Sequence, residues 1–245
     1  MAQLPKKLSK CPLVEATFEI RFVSSLPDDA VFGIVYQALK PIVKDARPIT
    51  LPVCKIPVEV RNNDSNLQLQ PHYQFNINDW MIAVGPQAFV FSNRLRYVGW
   101  EEYKEFILSA LDLILKADII KQIKRTGLRY INVINKPLFQ GTRVKVRIAD
   151  DFLDSEETII HTTMKTSDEY YVGLQLNNNV QIKIGNQVPQ CSSLIDIDVF
   201  QMQVLNSDVF QKRISDIMEE SHRIEKIKFF NLLDAGFLDT LEPIY

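Results

Sequence analysis

The sequence predicts an α+β fold in which mainly antiparallel sheet packs against long amphipathic helices. Three observations lead to this class. Runs that alternate apolar and polar residues follow one another in two series, two long segments space their apolar residues at helical intervals, and short turns rather than helices join most strand-like runs. The 245 residues, 46% hydrophobic and 24% charged, are enough for a sizeable core without disulfides or metal.

The first two elements are a strand and a helix. The segment VEATFEIRF alternates and predicts a half-buried strand. Its apolar face consists of Val14, Ala16, Phe18, Ile20 and Phe22. The segment PDDAVFGIVYQALKPIV has helical spacing, and Asp28 and Asp29 stand at its beginning, where the helix dipole favours carboxylates. Pro41 is expected to end or bend this helix.

Strand patterns return between residues 55 and 92. The segments are KIPVEVR, LQLQPHYQFNI, WMIAVG and QAFVFS, and VGPQAF indicates a hairpin turn. The strongest helix pattern follows in GWEEYKEFILSALDLILKAD, whose wide apolar stripe predicts packing against the sheet. RTGLRYINVI then predicts a further strand.

The strand RTGLRYINVI contains candidate binding residues. Its alternation sends Arg129 to one side and Tyr130 and Asn132 to the other. A buried Asn132 needs partners for its amide, so it either pins a neighbouring backbone, which is the favoured interpretation, or binds a ligand. For a ligand pocket between sheet and helices, the candidate polar contacts are Arg21, Arg129, Tyr130 and Asn132.

The second half begins near Lys136 and Pro137. This boundary divides the chain into residues 1–136 and 137–245, which can still pack as one domain. TIIHTTMKT, EYYVGLQLN, VQIKIG and SLIDIDVFQMQ read as a strand meander, with LNNNV as a turn whose asparagines suit positive φ. A long helix begins at about Ser207. Its predicted buried face consists of Phe210, Ile214, Ile217, Met218 and Ser221. Because each half runs from a meander to a long helix, the halves can be read as similar units.

The sequence lacks the motifs of several kinds of catalytic and cofactor site. The eight glycines form neither GxGxxG nor GxxxxGK, and no GxSxG is present. The histidines are His72, His161 and His222, and no second histidine follows at the helical spacing of a zinc site. Glu225 lies one turn after His222 and can pair with it. No cofactor is therefore predicted and no catalytic residue is assigned.

Asp196 and Asp198 are candidate ligands of a metal site, which is an alternative interpretation of this strand. They alternate with isoleucines in IDID, so both carboxylates point to the same face of a strand, as in Mg²⁺-dependent nucleases and hydrolases. Such a site also needs a further carboxylate and a lysine, for which Glu19 and Lys183 are candidates. A solvated or salt-bridged sheet face is the favoured interpretation.

Basic residues on predicted strands offer a second kind of site. If these strands are neighbours, their side chains form a surface for an anion or a nucleic-acid backbone, so nucleic acid is not excluded as a partner. The residues are Arg21, Arg61, Arg129, Lys145, Arg147 and Lys183. Antiparallel sheets ordinarily carry such charges on a wet face, and this simpler interpretation is favoured.

Composition predicts a cytoplasmic protein that does not enter a membrane. Cys11, Cys54 and Cys191 are far apart and odd in number, which argues against a disulfide framework. The N-terminus lacks the apolar region of a signal peptide, and no run approaches the roughly 18 apolar residues of a membrane span. The net charge of −2 provides no global field for nucleic acid or acidic lipid.

A set of motifs resembles a known group of proteins. PLVEATFEIRF, YVGW, RTGLRYINVINKP, IDIDVF, FFNLL and LEPIY, in this order along nearly the whole chain, resemble a sporadically distributed prokaryotic family of uncharacterised proteins of about this length. The family has no established activity, so the resemblance carries over no site residue. Its patchy distribution implies genes on mobile elements, including defence and toxin–antitoxin operons.

Three functions follow from these patterns. The favoured one is a non-enzymatic interaction or accessory module, whose partner is a protein encoded in the same operon or a second copy in a homodimer. Such a module needs an exposed apolar patch for its partner, and the tail GFLDTLEPIY is a candidate. The alternatives are a small-molecule or nucleotide-binding sensor, and a Mg²⁺-dependent nuclease or hydrolase that uses Asp196 and Asp198.

Overall fold

The structure, a computed structural model, describes residues 4–94, 96–153, 157–182 and 190–245. The strands, in chain order, are β1 (Lys7–Leu8), β2 (Leu13–Ser24), β3 (Ile49–Thr50), β4 (Tyr73–Ile77), β5 (Trp80–Val84), β6 (Ala88–Arg94), β7 (Ile120–Ile134), β8 (Val146–Ile148), β9 (Asp151–Leu153), β10 (Thr158–Lys165), β11 (Tyr170–Ile182), β12 (Gln190–Gln201), β13 (Leu205–Asn206) and β14 (Pro243–Ile244). The helices are α1 (Asp28–Val43), α2 (Val58–Asn63), α3 (Ser65–Gln68), α4 (Trp100–Leu115), α5 (Leu138–Gly141), α6 (Ser207–Leu232) and α7 (Ala235–Thr240), with a 3₁₀ turn at Pro52–Lys55.

One antiparallel sheet joins the two halves of the chain. Within the described residues its strands lie in the order β10-β11-β12-β7-β2-β6-β5-β4-β3, and β13 also pairs with β7. The central strand β7 pairs along one edge with β2 and along the other with β12. The predicted α+β class with a mainly antiparallel sheet is confirmed. The predicted boundary near Lys136 falls just after β7, between strands of this continuous sheet.

Helices α1, α4 and α6 cover one face of the sheet. The apolar positions of β2 alternate as predicted, and Ala16, Phe18 and Ile20 are fully buried against these helices. The predicted buried face of α6 is confirmed at every position, from Phe210 to Ser221. The opposite face of β2, β7 and β12 carries charged side chains, because period-two alternation puts every second residue there.

Helix α6 packs on two apolar clusters in succession. Its first half contributes Phe210 and Ile214 to the cluster with α1 and α4. Its second half contributes Ile224 and Phe229 to a cluster with β11, β12 and α7. The helix therefore connects the cores of the two halves.

Two predicted strands contain helix instead. KIPVEVR forms the end of the 3₁₀ turn and the beginning of α2, where Val58 and Val60 are exposed. LQLQPHYQFNI is strand only from Tyr73 to Ile77, and α3 precedes it. The Asp64 side chain accepts a hydrogen bond from the Asn66 backbone N–H and so caps α3. A short apolar alternation forms a strand only where a neighbouring strand can pair with it. Where these segments lack such a neighbour, they form short helical turns instead.

The predicted turn LNNNV lies inside a strand. β11 continues through it, and its register against β12 shifts between Asn177 and Val180. Asn179 has φ 54°, so the expected positive φ is present, but it serves a β-bulge rather than a turn. In α1, the helix continues two residues beyond Pro41 before it ends at Val43.

Candidate functional site

The four predicted binding residues do not form one site. Arg21 and Arg129 lie on the charged face of the sheet, whereas Tyr130 and Asn132 are buried on the face that the helices cover. The sheet therefore separates Arg129 from Asn132, and the two do not line one pocket. Each face has its own arrangement of polar groups.

On the charged face, ion pairs join three strands. Arg129 on β7 makes a bidentate pair with Asp196 on β12, with Nε–Oδ1 at 2.8 Å and Nη2–Oδ2 at 2.5 Å. Arg125, also on β7, reaches both neighbours: its Nη1 is 2.9 Å from Glu19 Oε1 on β2, and its Nη2 is 2.6 Å from Asp198 Oδ2 on β12. Glu19 also pairs with Arg21. These contacts tie β2, β7 and β12 together.

Gly127 makes the reach of Arg125 possible. A Cβ atom at Gly127 would lie 2.5 Å from Arg125 Nη1, so only glycine lets the guanidinium lie flat across the strand. The guanidinium also stacks on the Phe200 ring, 4.6 Å from its centroid. The side chain of Arg125 is 10% exposed, so these pairs are shielded from solvent.

The metal alternative is weakened by these arginines. Asp196 and Asp198 do share a face, as predicted, but each is paired with a guanidinium that competes for the carboxylate oxygens. Burial raises the pKa of Asp198, and Arg125 acts in the opposite direction. Among the described residues, no three histidine, cysteine or acidic side chains are grouped closely enough to hold a metal ion. Lys183 lies outside the described residues.

The predicted basic surface is not assembled. Arg61 is on α2, where its Nη1 lies 2.7 Å from His72 Nε2. Lys145 and Arg147 lie at the separate two-stranded sheet of β8 and β9. Of the predicted basic residues that the structure describes, Arg21 and Arg129 alone lie on neighbouring strands of the central sheet, and both face carboxylates.

On the other face of β7, a cavity of about 360 Å³ opens between four segments. They are residues 6–13, residues 97–100 at the beginning of α4, β7 and the second half of α6. Aromatic rings form much of the wall, and polar groups project from β7 and α6. Its lining includes Cys11, Tyr97, Trp100, Tyr130, Asn132, His222, Glu225, Lys226 and Phe229.

A hydrogen-bonded row fixes the polar side of this cavity. The hydroxyls of Tyr97 and Tyr130 are 3.1 Å apart, and the Tyr130 hydroxyl is 3.2 Å from His222 Nδ1. The His222 ring stacks on Trp100 with 4.0 Å between centroids. Trp100 Nε1 in turn donates a hydrogen bond of 3.1 Å to Glu219. The imidazole is therefore held on two sides.

Burial controls the protonation of this row. Burial, and secondarily the charge of Lys226, lowers the pKa of His222 to about 4, so the imidazole is neutral at pH 7. Burial also raises the pKa of both Tyr97 and Tyr130, so the phenols stay protonated. The row is uncharged at neutral pH and can donate or accept hydrogen bonds.

Glu225 is the unusual group of the cavity. It is 4% exposed, and no described residue donates a hydrogen bond to its carboxyl group. Burial raises its pKa to about 8, and Lys226 only partly opposes this. The expected pair between His222 and Glu225 is not formed, because His222 bonds to Tyr130 instead.

The side-chain amide of Asn132 makes one hydrogen bond to a neighbouring strand. It is buried, and its Nδ2 donates to the backbone oxygen of Ile195 on β12 at 3.5 Å. This is the expected pin on a neighbouring strand, at the long limit of a hydrogen bond. Asn132 also lines the cavity, beside Tyr130.

The sequence did not predict that Tyr97 and Trp100 line this cavity or that Glu225 is buried in it. One signal for Glu225 was present: it lies four residues after Ser221 on the stripe that buries α6, so a carboxylate was due to be buried there. Tyr97 and Trp100 stand in the motif YVGW, but their place in the cavity wall depends on tertiary packing.

Comparison with known proteins does not assign this chain. No protein-family model matches it, and no curated protein matches it. In the part of the chain that the structure describes, no helix combines the length and apolarity needed to cross a membrane.

We expect Gly127→Ala to destabilise the protein by about 1–3 kcal/mol, because the new Cβ displaces Arg125 and leaves the half-buried Asp198 carboxylate without its hydrogen-bonded partner. The free energy of unfolding in urea measures this. Gly173→Ala is the matched control on β11 of the same sheet, since a Cβ there meets its nearest atom at 3.7 Å. Equal stability of the two variants would show that the Arg125 contacts contribute little.

We expect Glu225→Gln to become more stable relative to wild type as pH rises. The folded protein keeps a proton that the unfolded chain loses above its ordinary pKa of 4.5, so the wild type loses free energy of unfolding between pH 4.5 and about 8. The difference levels off above pH 8 at a value on the order of 4 kcal/mol. Thermal unfolding from pH 5 to 9 measures it, with the exposed Glu59→Gln as control. A pH-independent difference would contradict the burial of an unpaired carboxyl group.

Proposed function

We propose that this protein is a cytoplasmic, non-enzymatic small-molecule-binding protein whose ligand occupies the cavity between β7 and α6. The observation that carries the proposal is the Glu225 carboxyl group, which belongs to a residue only 4% exposed, lines the cavity and has no hydrogen-bond partner among the described residues. An acid with a raised pKa that lines a cavity is a candidate for contact with a ligand.

The size and composition of the cavity support a small ligand. About 360 Å³ falls in the range of ligand pockets, which combine apolar walls with a few positioned polar groups. Trp100 and Phe229 supply apolar wall, while Tyr130, Asn132 and Glu225 supply polar atoms. The stacking of Trp100 on His222 keeps this side rigid, which lowers the entropic cost of binding.

The state of Cys11 supports binding rather than covalent catalysis. Cys11 is the thiol at the mouth of the cavity and is exposed there. Desolvation by its neighbours raises its pKa, so it remains a thiol at neutral pH, whereas a nucleophilic cysteine needs a lowered pKa. His222, with a pKa of about 4, is a weak base.

Native mass spectrometry of the protein purified from its host tests this function. We expect the wild type to carry a bound small molecule that denaturation releases. Lys226→Trp should block the mouth of the cavity and reduce the occupancy by about tenfold or more. Lys228→Trp is the matched control, because Lys228 lies on the same helix but does not line the cavity. Equal occupancy in both variants, or none in wild type, would contradict the proposal.

A protein partner is the second candidate function, and the edge strand β10 favours it. Within the described residues β10 pairs only with β11, so its other edge ends the sheet, and Ile159 on it is 64% exposed. Such an edge can accept a strand from a partner protein, encoded in the same operon as the family resemblance implies, or from a second copy. The tail GFLDTLEPIY is less suitable, because Phe237 and Leu241 are buried.

For this second function we expect a stoichiometric protein partner in a pull-down from the host, lost in Ile159→Lys, which places a charge on the edge strand. Mass spectrometry of the captured proteins measures it. Ile244→Lys is the control, since Ile244 is also exposed but lies on β14. Retention of the partner by Ile159→Lys would show that β10 is not the binding edge.

A further inference from the structure

We infer that the cavity binds an organic cation, a monoamine whose ammonium group pairs with Glu225 and whose apolar body lies against the aromatic wall. This inference rests on the proposed function and names its ligand class. A carboxylate without a donor is the complement of an ammonium group, which has three donors and no acceptor.

The surroundings of Glu225 favour a cation over other ligands. Its carboxyl group lies in a cavity walled by aromatic rings, including Tyr97, Trp100 and Phe229. Ring faces carry negative potential and attract ammonium groups within about 6 Å. An anionic ligand would meet the same ring faces and, above the pKa of Glu225, a second negative charge.

The mouth of the cavity selects a single positive charge. Lys6, Lys7 and Lys226 lie there, and Lys226 Nζ turns outward to within 3.5 Å of the Lys6 backbone oxygen. A diamine would bring its second ammonium group among these lysines, where like charges repel. The far end of the ligand is therefore uncharged.

Binding of an ammonium group requires the ionised form of Glu225. In the free protein this carboxyl group has a pKa of about 8, so below pH 8 it must release a proton as the amine binds. The affinity for the amine is expected to rise about tenfold per pH unit up to pH 8 and then to level off.

Other charged and titratable groups around the cavity do not produce this profile. They come from the N-terminal segment, the beginning of α4, β7 and α6: Lys6, Lys7, Cys11, Tyr97, Glu101, Tyr130, His222 and Lys226. The raised pKa of the tyrosines and of Cys11 and the lowered pKa of His222 keep these four groups from titrating between pH 6 and 8.

Calorimetric titration with matched six-carbon probes tests the inference. The probes are hexylamine, 1-hexanol, hexanoate and 1,6-diaminohexane, which differ only in their end groups. We expect hexylamine to bind at least about tenfold more tightly than the other three at pH 8.5 and to release a proton at pH 7, which titrations in buffers of different ionisation enthalpy detect. In Glu225→Gln, the preference for the amine and the pH dependence should both disappear.

The outcomes separate this inference from the proposed function. Binding of hexanol or hexanoate that Lys226→Trp abolishes and Glu225→Gln leaves unchanged would overturn the cation class while the cavity stands as a ligand site. Absence of hexylamine binding, or binding that does not depend on pH in the wild type, would also overturn the inference. The ligand that co-purifies from the host decides the proposed function independently of these probes.

Discussion

The alternation of side chains along β7 is the constraint on which the rest of the structure depends. This strand of 15 residues is paired on both edges, so its odd and even positions must face opposite sides of the sheet. Arg125 and Arg129 therefore reach carboxylates on the charged face, while Tyr130 and Asn132 reach the cavity under the helices. One segment, RTGLRYINVI, supplies both an ion-pair cross-link and one wall of the candidate site.

The carboxylates on the two faces of the sheet differ in whether an arginine pairs with them. On the charged face Glu19, Asp196 and Asp198 each have an arginine partner, so the attraction offsets much of the cost of burial. Glu225, under the helices, is more deeply buried than Glu19 and has no such partner among the described residues. The contrast separates the carboxylates that arginines pair with from Glu225, which lines the cavity without such a partner.

The sequence predicted the class of fold and the alternation of β2 and β7 because burial on one face imposes a period that can be read directly. The strand prediction for KIPVEVR was wrong, because its two valines alternate as in a strand although both are exposed and no strand among the described residues pairs with them. Arg129 was also grouped with Asn132, although their spacing already put them on opposite faces. The place of Trp100 beside His222 and of Tyr97 beside Tyr130 could not be predicted, because tertiary packing rather than local sequence creates these contacts.

The walls of the cavity differ in how firmly they are held. Tyr130 and Glu225 project from long elements of the core, and Trp100 is fixed by His222 and Glu219. The wall formed by residues 6–13 is anchored at one end, where Leu13 begins β2 and the Val133 N–H donates to the Pro12 oxygen. Its other end is held by the two-residue pairing of β1 with β14 and by the exposed Lys10–Glu242 ion pair, which contributes little free energy. Under the proposed function, the polar groups on β7 and α6 that contact the ligand are therefore preorganised by the core, which lowers the entropic cost of binding.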